Sequence, residues 1–130
     1  MNKIIAVTGA NGFIGSNIIK LLLKNNNGVI AIVRPETNLE PLKSTYGYNL
    51  VIAKDFTEPF LLIKLADMKC DVVINCAWQG NNLDQRNASY QALENMKVTI
   101  KLLEMVKNIN CKHLINIGSL ERGKSIHVPA

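Results

Sequence analysis

Three glycines carry the first chemical signal in this chain. They are Gly9, Gly12 and Gly15 of the run Thr8-Gly9-Ala10-Asn11-Gly12-Phe13-Ile14-Gly15. In that spacing Gly9 permits a tight turn, Gly12 lets bare backbone approach a pyrophosphate, and Gly15 lets a following helix pack close to a strand. The N-terminus of that helix, with free N–H groups and about half a positive charge, would face the linked phosphates. Asn11, Phe13 and Ile14 complete the candidate binding segment. Far along the chain Ser119 offers a hydroxyl just beyond an apolar run. Such a hydroxyl can hydrogen-bond a substrate oxygen, or simply cap a helix.

The other reactive residue types suggest less. Cys70, Cys76 and Cys111 are odd in number and have no C-x-x-C spacing, which argues against a disulfide framework and against zinc. His113 opens an apolar run and His127 lies near the end of the sequence, neither with a ligand partner at a usable spacing. No metal site is expected, and the thiols suit a reducing, cytoplasmic compartment.

These groups must be held by secondary structure, and the hydrophobic pattern supplies it. Ile4 to Val7 reads as a strand that leads into the glycine turn, and Ile18, Ile19, Leu22 and Leu23 mark the helix after it. Gly28 is the expected left-handed cap of that helix. Strands are then expected at Val29–Val33, Leu50–Ala53, Asp71–Cys76 and Lys112–Ile117, with a weak helix at Leu39–Ser44. Thr57 is the expected N-cap of a helix that carries Phe60, Leu61, Ile63, Leu65 and Ala66. The longest helix carries Leu93, Met96, Ile100, Leu103 and Val106 at steps of three and four. Unbroken apolar strands alternating with helices require parallel pairing, helices on both faces and right-handed crossovers. The fold class is therefore α/β, a doubly wound Rossmann-type parallel sheet of about five strands, with residues 1–119 as the domain and 120–130 as an irregular tail.

Composition narrows the functional classes. With 130 residues, 48% of them hydrophobic, the chain can bury one core. The net charge of +5 comes from scattered lysines, and only 5% of residues are aromatic, so dedicated nucleic-acid binding is not expected. The apolar stretch after Met1-Asn2-Lys3 is too short for a signal-peptide core or a membrane span, so no membrane partner is expected.

Several segments together resemble the extended short-chain dehydrogenase/reductases, in the NAD-dependent epimerase/dehydratase branch that works on nucleotide sugars. Thr8 to Gly15 is similar to that family's T-G-x-x-G-[FY]-[IL]-G, and Asp55-Phe56 to the pair it sets against the adenine. Asn75-Cys76-Ala77-Trp78 resembles the segment ending strand four, beside the ribose and nicotinamide. Asn95 with Thr99 resembles N-x-x-G-T, with Val98 in place of the glycine, and Ile117 to Glu121 resembles the segment ending strand five. The resemblance implies coenzyme contacts at Gly9, Asn11, Gly12, Phe13, Ile14, Gly15, Asp55, Phe56, Cys76, Ala77, Trp78 and Asn95. It makes Ser119 the catalytic hydrogen-bond donor to the sugar. Every one of these segments falls at the carboxyl end of a strand or just beyond it, where open α/β sheets bind ligands.

Arg34 departs from the pattern. At the end of strand two, nineteen residues after Gly15, an acid would hydrogen-bond the ribose hydroxyls of NAD, whereas an arginine can pair with a 2′-phosphate. NADP is thereby favoured over NAD, with Glu36 two residues on keeping NAD open. The family's Tyr-x-x-x-Lys pair has no match, because Tyr46, Tyr48 and Tyr90 all precede strand five and none has lysine four positions on. Three readings stay open. The chain is the coenzyme-binding portion of a nucleotide-sugar epimerase, dehydratase or reductase, incomplete as an enzyme; or a non-catalytic NAD(P)H sensor; or a fragment whose long helix offers Leu93, Met96 and Ile100 to a partner. The resemblance also implies a homodimer through that helix.

Overall fold

A computed structural model describes residues 2–77 and 88–117. The chain runs β1 (Ile4–Thr8), α1 (Phe13–Lys24), β2 (Gly28–Val33), a 3-10 turn (Glu40–Leu42), β3 (Asn49–Ile52), α2 (Pro59–Asp67), β4 (Val72–Asn75), α3 (Ala88–Asn108) and β5 (His113–Asn116). All four strand pairings are parallel, and the order across the sheet is β3-β2-β1-β4-β5. The chain winds outward from β1 to β3, then returns to place β4 on the other side of β1. That reversal opens a crevice at the carboxyl ends of the strands, the usual ligand position in such sheets.

The period of two along each strand divides the core into two layers. Ile5 and Val7 of β1, with Val29, Ala31 and Val33 of β2, pack with Ile19 of α1 and Leu42 of the 3-10 turn. Ala6, Ile30 and Ile32 face the opposite way, toward Leu61 and Leu65 of α2 and Leu102, Met105 and Val106 of α3. Both faces of the sheet are covered, which explains why its central strands read as continuous apolar runs. Leu61 and Leu65 are completely buried, and each contributes about 2 kcal/mol of transfer free energy.

Several boundaries differ from the sequence expectation for identifiable reasons. The left-handed residue after α1 is Asn26, at φ 65°, and Gly28 is the first residue of β2. Asparagine tolerates that conformation, and Gly28 is instead confined by Ile4, whose Cδ1 would lie 2.6 Å from an added Cβ. Thr57 does not cap α2. Its amide and hydroxyl both bond Asp55 Oδ1, while Glu58 takes the cap position and Pro59 sets the first turn. The weak helix expected at Leu39–Ser44 is a single 3-10 turn anchored by fully buried Leu42, and β3 begins and ends one residue earlier than expected.

The long helix also presents its residues differently. Among Leu93, Met96, Ile100, Leu103 and Val106, only Val106 is buried, because α3 meets the sheet through its last turns, by Leu102, Met105 and Val106, with Ile109 just beyond its end. Leu93, Met96 and Ile100 are about half exposed or more. Among the described residues no helix is long and apolar enough to cross a membrane, and no cluster of three metal-ligating side chains occurs.

Candidate functional site: a cleft at the carboxyl edge of the sheet

The ends of β1, β2, β3 and β4 enclose a cleft of about 460 Å³. Its floor is the glycine turn. Gly9 sits at φ 62°, and a Cβ there would lie 2.7 Å from the carbonyl carbon of Cys76, so the turn can pass beneath β4 only without a side chain. Gly15 is packed as tightly, since a Cβ would run into the Gly9 carbonyl oxygen and come within 3.1 Å of Ala10 Cα. Gly12 differs from both. An added Cβ would meet only Gly9 O, at 3.4 Å, and Gly12 itself lines the cleft.

Gly12 also caps α1 without any side-chain hydrogen bond, its own N–H bonding Gly9 O at 3.1 Å. The first-turn amides of α1 have no intrahelical acceptor, so they are available to an anion. A phosphate group fits this arrangement: bare backbone on one side, the positive end of α1 on the other, and open space where a side chain would intrude.

The strand ends are tied together by polar side chains. Thr8 Oγ1 donates to Asn75 Oδ1 and accepts from the Cys76 amide at 3.2 Å. Asn75 Oδ1 also accepts from the Ala77 amide at 3.2 Å, and Asn75 Nδ2 donates to Asn116 Oδ1 at 2.7 Å. The chain leaving β4 is thereby fixed against β1 and β5, which holds Cys76 and Ala77 on the cleft wall. Burial pushes the Cys76 thiol up to about 11, so it stays a neutral wall of the cleft at physiological pH.

Charge is concentrated on the β2–β3 side. Arg34, Lys54 and Lys101 line the cleft with Asp55 as the acid among them. Lys101 Nζ lies 3.7 Å from Asp55 Oδ2. Hydrogen bonds from the Thr57 hydroxyl and amide, and then the Lys101 charge, hold the Asp55 carboxyl below its ordinary value. Arg34 is exposed and forms no ion pair with another described residue. Glu36, at φ 61°, lies outside the cleft lining.

The structure thus brings Gly9, Asn11, Gly12, Arg34, Asp55, Phe56, Cys76 and Ala77 to one cavity. Phe13 and Ile14 stand on the exposed first turn of α1, outside the lining, and Gly15 lies beneath it. Asn95 is half-buried on α3 and also outside the lining, its carbonyl accepting the Thr99 hydroxyl at 2.8 Å. Trp78 and Ser119 lie outside the described residues. Thr37, Lys54, Val98 and Lys101 join the cavity without having been singled out as ligands. One signal was present: Val98, where the resembling pattern has glycine, marks the turn of α3 that reaches the cleft, and Lys101 is on the same helix face three residues on.

A parallel sheet in this strand order, with a glycine turn feeding α1 and a cleft across its carboxyl ends, defines a dinucleotide-binding architecture of the Rossmann type. The sequence profile of the NAD dependent epimerase/dehydratase family matches residues 5–127, and the chain belongs to that family. It is 30% identical over 116 residues to CDP-abequose synthase of Yersinia pseudotuberculosis, covering 88% of this chain and 39% of that protein. Among solved structures, UDP-N-acetylglucosamine 4-epimerase of Methanobrevibacter ruminantium, in complex with UDP-N-acetylmuramic acid, is 30% identical with a TM-score of 0.67, over 88% of this chain and 37% of that one. A UDP-glucose-4-epimerase from Stenotrophomonas maltophila, with bound NAD and formylated UDP-arabinopyranose, shares the fold at TM-score 0.77 and 19% identity, over 92% and 38% of the two chains. This chain therefore spans about two fifths of the length of these relatives.

Proposed function

We propose that residues 1–119 form the coenzyme-binding domain of a nucleotide-sugar epimerase, dehydratase or reductase. The observation that carries this reading is the Gly12 turn. The cleft opens where a side chain would project, and the cap of α1 leaves its amides to a diphosphate. In this reading the adenosine end lies toward Arg34, Asp55 and Phe56, and the nicotinamide end toward Cys76, Ala77 and Trp78. Phe13, Ile14 and Gly15 contribute their backbone amides, and Asn95 acts from α3. The bound coenzyme supplies or accepts a hydride at a sugar carbon, and Ser119 hydrogen-bonds the sugar oxygen. The Tyr-x-x-x-Lys pair that completes the family's chemistry has no match in these residues, so the binding step is the one assigned to this chain.

Arg34 selects NADP. Its guanidinium stands at the end of β2, Glu36 lies outside the cleft lining and the one acid that lines it among the described residues, Asp55, is engaged by Thr57 and Lys101, so a 2′-phosphate would give Arg34 a charge-assisted, bidentate partner. Titration of the chain with NADPH and NADH, followed by nicotinamide fluorescence, tests both statements. Saturable binding with tighter NADPH supports them, equal affinities contradict the role of Arg34, and no saturable signal with either contradicts the coenzyme reading. A homodimer through α3, using the exposed Leu93, Met96 and Ile100, is part of the same proposal.

A further inference from the structure

The amino-terminal edge of the sheet, away from the coenzyme cleft, has a cavity of its own. It measures about 500 Å³ and is lined by Lys3, Lys69, Cys70, Asp71, Lys112 and His113, among others. Cys70 and Cys111 occupy equivalent positions there. Each follows a helix that ends in a left-handed residue, Lys69 at φ 57° after α2 and Asn110 at φ 60° after α3. The Cys70 amide bonds Leu65 O at 3.1 Å and the Lys69 amide bonds Ala66 O at 3.0 Å. The Cys111 amide bonds Val106 O at 3.0 Å and the Asn110 amide bonds Lys107 O at 3.1 Å. These are two matching Schellman closures, and each delivers its cysteine to the start of a strand.

The two strands are parallel neighbours, with Val72 of β4 paired to His113 of β5. Cys70 and Cys111 lie two residues before that pair, in the same register, and their sulphurs take the same course. Cys70 Sγ lies 3.2 Å from Val72 O, and Cys111 Sγ lies 3.5 Å from His113 O. Neighbouring parallel strands run about 4.8 Å apart, inside the range of about 4.4–6.8 Å between Cα atoms that a disulfide spans. The two thiols also interact with each other. The neighbouring Cys70 thiol brings Cys111 down to about 7, and Cys111 together with burial pushes Cys70 up, so the pair shares one negative charge near neutral pH. Three lysines against Asp71 give the cavity a cationic lining, and the Asp71 carboxylate is already engaged by the Ile4 amide at 2.8 Å.

We propose that Cys70 and Cys111 form a dithiol site for an anionic low-molecular-weight disulfide of the glutathione type, which closes them into an intramolecular disulfide joining the starts of β4 and β5. The site is independent of the coenzyme reading. Cys70, the cysteine that lines the cavity, passes its proton to Cys111 and attacks one sulphur of the small disulfide. That S–S bond breaks, and a mixed disulfide forms on Cys70 as the first glutathione thiolate leaves. Cys111 then gives up its proton and attacks Cys70 Sγ, breaking the mixed bond and releasing the second glutathione thiolate. The two cysteines are oxidised and one small disulfide is reduced; the one proton of the pair ends on the first released glutathione, and the second leaves as the thiolate, carrying the pair's negative charge with it.

The test exposes the folded chain to glutathione disulfide, alkylates the remaining thiols and maps the peptides. The expected product links Cys70 to Cys111 and leaves Cys76 alkylated. In Cys111→Ser, a glutathione adduct should accumulate on Cys70. Joint replacement Lys69→Gln and Lys112→Gln should slow the reaction about tenfold with glutathione disulfide and leave it unchanged with the neutral hydroxyethyl disulfide. A chain that stays reduced, a parent that stops at the mixed adduct, or a bond to Cys76 would overturn the proposal. Equal rates for both disulfides before and after the lysine replacements would overturn the assignment of the cavity to an anion.

Discussion

Asn75 Nδ2 donates to Asn116 Oδ1 at 2.7 Å, which couples the last residue of β4 to the last residue of β5. On its other side Asn75 Oδ1 receives the Thr8 hydroxyl and the Ala77 amide, so one buried amide group serves three neighbours. Buried polar groups that lose their partners retain the full cost of desolvation. Asn75→Ala should therefore destabilise the fold by about 3 kcal/mol, read as a lower denaturant midpoint with an unchanged slope. A loss below about 0.5 kcal/mol would show that these contacts do not hold the strand ends.

Coenzyme preference should reside in Arg34. It is exposed, so Arg34→Ala should leave stability within about 0.5 kcal/mol and lower NADPH affinity about tenfold, with NADH affinity nearly constant. Parallel fluorescence titrations distinguish this from general electrostatic attraction, which would weaken both coenzymes alike.

Asp55 gives the chain a specific acid sensitivity. Hydrogen bonds from Thr57, then Lys101, lower its folded-state value, so its stabilisation is complete above the unfolded carboxylate value of about 3.9 and is lost as pH falls through the folded one. Asp55→Asn should remove that part of the acid transition and flatten the stability profile below about pH 4. Denaturant midpoints measured across the acid range for parent and variant provide the comparison, and identical slopes would refute the linkage.

The exposed stripe on α3 predicts self-association. Leu93, Met96 and Ile100 are 49%, 60% and 50% exposed and form an apolar row along one side of α3, the surface proposed for the homodimer. Replacing all three with lysine should move the sedimentation coefficient to that of a single chain and make the unfolding midpoint independent of protein concentration. A parent that is already monomeric at all concentrations would contradict the dimer.

Much of this architecture was legible because each signal was local. Ile4 to Val7 followed by Gly9 fixed a strand and a turn, and the alternation of long apolar runs with helices required the parallel sheet. Local competition hid other features. Asp55 takes the Thr57 hydroxyl that would have capped α2, and Asn26 takes the left-handed position that glycine more often fills. The contributions of Thr37, Lys54 and Lys101 depend on how the 37–56 loops and α3 fold over the strand ends, which no short window of sequence encodes. The matched Cys70 and Cys111 positions were hidden for the same reason: their kinship lies in two helix ends and a strand register, 41 residues apart in the chain.

Gly12→Val probes the phosphate cradle proposed at the start of α1. Gly12 lies at φ −76° and ψ 171°, where any residue can sit, and a Cβ meets only Gly9 O, at 3.4 Å, so the fold should survive with about 1 kcal/mol of loss at most. The valine side chain would occupy the space assigned to the diphosphate. NADPH titration of a Gly12→Val protein with native circular dichroism should show affinity reduced at least tenfold. Parental affinity in that folded variant would mean that no diphosphate sits against Gly12.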